Sequence, residues 1–143
     1  MRKVFIHLTV WYLSFWSLIV PSTAHASMVA HFRCAEIPNQ YWNPNAAKSY
    51  AKAIMKKRYN WGRKQYLALV ELWTIESHWD VKAFNQSVDR WTNKHAGGIP
   101  QLLSMNPVTT PAPQQVERGL AYIQHRYGKP SIAWAHHRKH GWY

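Results

Sequence analysis

The sequence predicts a small, mostly helical domain, and three observations carry that prediction. The chain has 143 residues, which suits one domain and is too short for a two-domain enzyme. Hydrophobic residues make up 47% and aromatics 15%, with nine Trp, far too apolar for a disordered basic tail. Apolar residues recur at helical spacing in several segments, and no stretch alternates cleanly as a strand beyond a few residues. The single Cys excludes a disulfide-stapled mini-protein and a zinc site of the CxxC type. Lys and Arg number 18 against 6 Asp and Glu, a formal charge of +12 that points to an anionic partner.

Residues 1–26 read as an export signal. Arg2 and Lys3 precede an uncharged apolar run from Val4 to Val20, Pro21 ends it, and Ala24-His25-Ala26 is a small-x-small cleavage site. The alternative is an uncleaved membrane anchor, but a run of about 17 residues is short for about 30 Å of hydrocarbon. No lipobox precedes Cys34, a lone thiol to which no role is assigned. Two basic residues leave with the signal, so the formal charge falls from +12 to +10. The chain is therefore expected to be exported: periplasmic, wall-associated or secreted. Export removes nucleic acid as a partner and leaves wall polymer or lipid headgroups.

Residues 27–45 read as an extended lead-in, with Pro38 and Pro44 among several Asn and Gln. A first helix is expected over Ala46–Tyr59. Ala47, Tyr50, Ala51, Ile54 and Met55 form its apolar stripe, and Lys48, Lys52, Lys56 and Lys57 form a solvated face. Asn60-Trp61-Gly62 breaks it. A second, more buried helix runs from Arg63 to about Ser77, with Tyr66, Leu67, Leu69, Val70, Leu72, Trp73 and Ile75 as its apolar positions. Asp80 to Gly98 reads as polar and irregular, and Pro107, Pro111 and Pro113 mark a further loop. A third helix covers Gln114–Arg126, with Val116, Leu120 and Ile123 inward and Gly119 allowing close approach. Ser131–His137 reads as a short fourth helix.

Six carboxylates are present: Glu36, Glu71, Glu76, Asp80, Asp89 and Glu117. Glu76 is the anomaly. Leu69, Leu72 and Trp73 precede it by seven, four and three residues, hence on its own helix face. Burial and the negative end of the helix dipole both disfavour its charge, so its pKa should rise. A Glu kept protonated near neutral pH is a general acid. The competing reading is a satisfied polar residue bonded to a loop amide. Glu71 lies about 140° round the helix and should not share that environment. Asp80 and Asp89 are the nearby candidates for the second carboxylate that a glycoside hydrolase requires.

These residues also carry a family resemblance. Trp61-Gly62, Gln65, Leu69, Leu72-Trp73, Glu76-Ser77 and Trp79 form a first block, and Gly98-Ile99-Pro100-Gln101 a second. Gly119-Leu120 with Tyr122-Ile123 forms a third. Arg126-Tyr127-Gly128, Pro130, Ala133-Trp134, His136 and Gly141-Trp142-Tyr143 close the series. In order and spacing these blocks resemble the lytic-transglycosylase-like domain of secreted actinobacterial wall proteins, a branch of the lysozyme-like superfamily. The resemblance covers roughly Ala46 to Tyr143. It implies a lysozyme-like, transglycosylase-type helical fold over residues 46–143, with Glu76 as the catalytic glutamate. It implies that Ser77 shapes the site, that Gln101 contacts substrate, and that Trp134 stands where relatives carry a Tyr near the reacting sugar.

Proteins of this type cleave the β-1,4 bond between N-acetylmuramic acid and N-acetylglucosamine in peptidoglycan. The implied partner is thus the anionic glycan strand, met by a monomer with no cofactor. Trp79, Tyr122 and Trp142 join the expected substrate contacts; Trp79, Trp91 and Trp142 lie beside loops, whereas Trp61, Trp73 and Trp134 read more readily as core than as sugar platforms. This chain departs from the pattern in a longer Asn85–Ala96 connection, in His95-Ala96-Gly97 before the turn, and in Asp80 after Trp79.

Three other readings remain at this level. One is a muramidase that uses water, another a non-catalytic wall-binding module, and a third a cationic Trp-rich membrane-active protein. His136, His137 and His140 suggest a metal site, but no HExxH pattern exists and Gly141 follows directly. They are expected in a basic surface patch with Arg138 and Lys139, with no metal.

Overall fold

The computed structural model of the protein describes residues 37–143. The export segment, Cys34 and Glu36 lie outside the described residues. Among these, four α-helices and one small sheet follow in chain order. They are α1 (Pro44–Tyr59), α2 (Arg63–Ser77), β1 (Phe84–Val88), β2 (His95–Gly97), β3 (Leu102–Leu103), α3 (Ala112–Tyr127) and α4 (Pro130–His140). The domain is mostly helical, as the periodicity predicts.

The described part of the lead-in, from Ile37 on, is docked rather than freely extended. A short 3-10 turn spans Asn39–Tyr41, and the Asn39 side chain is clamped to the loop before α3. It donates to the carbonyls of Pro107 and Thr110 and accepts from the Ala112 amide, at 2.7–2.9 Å. Helix α1 starts two residues earlier than expected. The Asn43 side chain accepts from the Ala46 amide at 2.9 Å, and Pro44 sits in the first turn, where its missing N–H costs nothing. It ends at Asn60, whose φ of 52° is a left-handed conformation that Asn tolerates. Ala47, Ala51, Ile54 and Met55 are buried. Lys52, Lys56 and Lys57 are exposed, while Lys48 is half-buried with its ammonium 5.8 Å from the Trp79 ring centre.

Helix α2 has the predicted bounds but is not apolar all round. Leu69, Leu72 and Trp73 are fully buried, whereas Leu67 and Ile75 are exposed and share an outward stripe with Glu71. Helix α3 buries Val116, Leu120 and Ile123. A Cβ at Gly119 would lie 2.6 Å from the Trp73 ring and 2.7 Å from Pro100. The bare glycine is what lets α3 close onto both. Helix α4 runs three residues beyond expectation at its C-terminal end, stops at Gly141 with φ of 77°, and packs chiefly on α2.

The stretch from Asp80 to Gly98 is not merely irregular. It contributes two strands of an antiparallel sheet in the order β1-β2-β3. Phe84 lies opposite Gly97, and Ala96 opposite Leu103. All five residues of β1 are exposed, so no buried face imposed the alternation by which a strand is read.

Candidate active site

A cleft of about 960 Å³ opens beside the C-terminal end of α2. Glu76 reaches it from the last turn of that helix. Asn85, Ala96 and Leu103 line it from the sheet, Asp89 from the loop after β1, Arg118, Tyr122 and Arg126 from α3, and Trp142 and Tyr143 from the segment after α4. Trp91, 95% exposed, stands at its rim.

Leu72 and Trp73, one turn back on the same face as Glu76, have no exposed surface. Its own side chain is 18% exposed. Burial raises its carboxyl from an ordinary 4.5 to about 7. Among the described residues, no Lys, Arg or backbone N–H bonds that carboxyl. Its polar neighbour is His137, whose Nε2 lies 3.3 Å from Oε1. An imidazole, unlike Lys or Arg, carries a charge only when protonated.

The turn opposite Glu76 is held by buried polar side chains. Ser77 Oγ donates to the Ile99 carbonyl at 2.6 Å and accepts from the Trp79 amide. Ser77 is 8% exposed and does not line the cleft; it ties the end of α2 to the 98–101 turn. Gln115, fully buried on α3, accepts from the Ile99 amide and donates to the carbonyls of Val81 and Thr110. Nothing in the local pattern around Gln115 marks it, because its partners lie 5 to 34 residues away. Gln101, at the cleft, donates to the Gly98 carbonyl at 3.0 Å.

Of the expected substrate contacts, Gln101, Tyr122 and Trp142 line the cleft with Glu76. Trp79 does not. It is 1% exposed and packs edge-on against Trp73, its indole N–H donating to the Val70 carbonyl. Its place after a helix end suggested a loop residue, but the left-handed His78 and Trp79, φ 55° and 64°, fold the ring back under α2. Trp134 is half-buried and does not line the cleft; its ring stacks on His137. Tyr143 is the contact that the sequence reading left out. Its hydroxyl accepts from the Trp73 indole and donates to the Pro100 carbonyl, pinning the terminus across the cleft floor. Burial, and then the Glu76 charge, hold its phenol well above the usual range.

The three His do not form one surface patch. His137 turns inward to Glu76, and His136 packs edge-on against Trp142 with His140 beside it. The Arg126 guanidinium lies 5.0 Å from the Trp142 ring centre and donates to the Tyr122 hydroxyl, stiffening that wall. Among the described residues, no group of three or more His, Cys, Asp or Glu gathers as a metal site.

Asp80 is exposed and bonds the Lys82 amide in its own turn. Asp89 does line the cleft. Hydrogen bonds from the Thr92 hydroxyl and amide, with a further one from the Trp91 amide, hold its carboxyl below the usual range. A second cavity, about 530 Å³, lies on the other face of the sheet among Lys82, Phe84, Lys94 and His95, and contains no carboxylate. Of these two cavities, the cleft is the one lined by carboxylates, Glu76 and Asp89. No family model, curated protein or solved structure matches the chain.

Proposed function

We propose that the protein is an exported peptidoglycan lytic transglycosylase on a lysozyme-like helical shell, with Glu76 as its single acid–base group. The observation that carries this reading is a half-buried carboxyl, pushed up to about 7, facing a cleft large enough for sugar rings. Aromatic faces at the cleft suit the apolar C–H surfaces of amino sugars; Trp91, Tyr122 and Trp142 supply them. Arg118 and Arg126 suit the carboxylates of the wall polymer.

In this reading Glu76 protonates the glycosidic oxygen as the bond to C1 of the muramoyl sugar breaks. The carboxylate then takes the proton of the C6 hydroxyl, whose oxygen closes on C1. The product is a 1,6-anhydro sugar, Glu76 regains its proton, and no water is consumed. A second reading, hydrolysis by a muramidase, is favoured by Asp89, an ionised carboxylate lining the same cleft. Against it, one oxygen of Asp89 already accepts three hydrogen bonds from Trp91 and Thr92.

Digestion of purified sacculi, with products weighed by mass spectrometry, separates these. Anhydro ends support the transglycosylase, reducing ends the hydrolase, and no products the wall-binding module. Glu76→Gln is expected to abolish release while circular dichroism stays unchanged. Equal release by that variant would falsify the mechanism.

A further inference from the structure

A single Glu that acts first as acid and then as base has two opposed tasks. It must hold a proton, which burial favours, and then persist as an anion, which burial penalises. One side chain is placed to offset that penalty. His137 faces Glu76 from the last turn of α4, with Nε2 3.3 Å from Oε1. The ring is held in place: its side chain is 12% exposed and stacks on Trp134 with centroids 5.7 Å apart and 23° between planes. The Arg138 guanidinium lies over Trp134, 5.6 Å from its centroid.

The other titratable groups facing the cleft are otherwise engaged. Tyr143 donates to Pro100, Arg126 bonds Tyr122, and Asp89 is tied to Thr92. Arg118 lines the cleft from α3 without bonding Glu76.

We propose that His137 is a positioning residue for Glu76. With Nε2 already 3.3 Å from Oε1, neutral His137 closes to donate to Oε1 in the reacting complex, which leaves Oε2 to carry the proton towards the cleft. The assignment rests on the acid–base reading of Glu76. When the O–H bond at Oε2 breaks, the proton passes to the glycosidic oxygen, and the N–H···O bond meets the charge left on the carboxylate. Proton return from the C6 hydroxyl reverses this, and His137 keeps its own proton throughout. A bond that strengthens as charge develops speeds the chemical step more than it aids binding. Activity falls at high pH as Glu76 loses its acidic proton.

The test compares His137→Ala, His137→Gln and Glu76→Gln with wild type on purified sacculi, from about pH 5 to about pH 9. His137→Ala is expected to lower kcat by about a hundredfold with little change in KM. In the same variant the Glu76 carboxyl, followed by 13C NMR, titrates at higher pH than in wild type. His137→Gln keeps an N–H donor, so it should recover most of kcat. An unmoved Glu76 midpoint in His137→Ala, or no recovery of kcat in His137→Gln, would overturn the assignment. Product release by Glu76→Gln would instead sink the acid–base reading, and the NMR midpoint would still decide whether His137 bonds the carboxyl.

Discussion

Glu76 sits where its charge is costly, and that cost has a measurable sign. The folded carboxyl keeps its proton up to about pH 7, whereas the unfolded one loses it near 4.5. Between those values the unfolded state binds fewer protons, so stability falls as pH rises. Allowing for the solvent that reaches the cleft, the loss above pH 7 is about 2 kcal/mol. Glu76→Gln is therefore expected to match wild type in urea unfolding near pH 4.5 and to exceed it by about 2 kcal/mol at pH 8. Equal stability at both values would mean that the carboxyl is not desolvated.

This residue was legible in the sequence because Leu69, Leu72 and Trp73 share its helix face, a purely local relation. His137 was not, because it meets Glu76 only when two helix ends far apart in sequence come together. Trp79 misled for the opposite reason: two left-handed residues reverse the chain just where a local pattern suggests an exposed loop.

At the scale of elements, the helices were readable to within three residues because each has a one-sided apolar repeat and an identifiable start or stop. The sheet was not readable, since β1 buries nothing. What fixes the turn between β2 and β3 is long-range. Gln115 satisfies the Ile99 amide and the carbonyls of Val81 and Thr110 from inside α3. Gln115→Leu leaves the buried Ile99 amide and Val81 carbonyl unpaired, while Thr110 keeps its bond from Asn39, and is expected to cost about 3 kcal/mol, a Tm fall of roughly 10 °C or more by calorimetry. A fall of under about 2 °C would mean that the turn holds itself. Gly119→Ala should also destabilise, by about 2 kcal/mol, because its new methyl meets the Trp73 ring and Pro100 at under 3 Å. Stability equal to wild type would show that α3 can shift outward at little cost.

For the molecule as a whole, charge is the dominant feature. The formal charge of +12, reduced to +10 if residues 1–26 are removed, should draw the protein to an anionic wall and raise its rate of encounter. Raising salt from about 0.05 M to about 0.5 M is expected to slow association with sacculi by at least about tenfold, measured by stopped-flow mixing. Salt-independent association would remove the electrostatic account. Among the described residues, no helix is long and apolar enough to cross a membrane. Wall-free vesicles of anionic lipid are expected to stay sealed in the protein's presence, and dye leakage would favour the membrane-active alternative.

The central claim is a carboxyl kept protonated at neutral pH inside a cleft. Titration of the Glu76 carboxyl carbon by NMR addresses it without any assumption about substrate. The account requires a midpoint near 7. A midpoint close to the ordinary 4.5 would leave Glu76 ionised at working pH, unable to act as the acid.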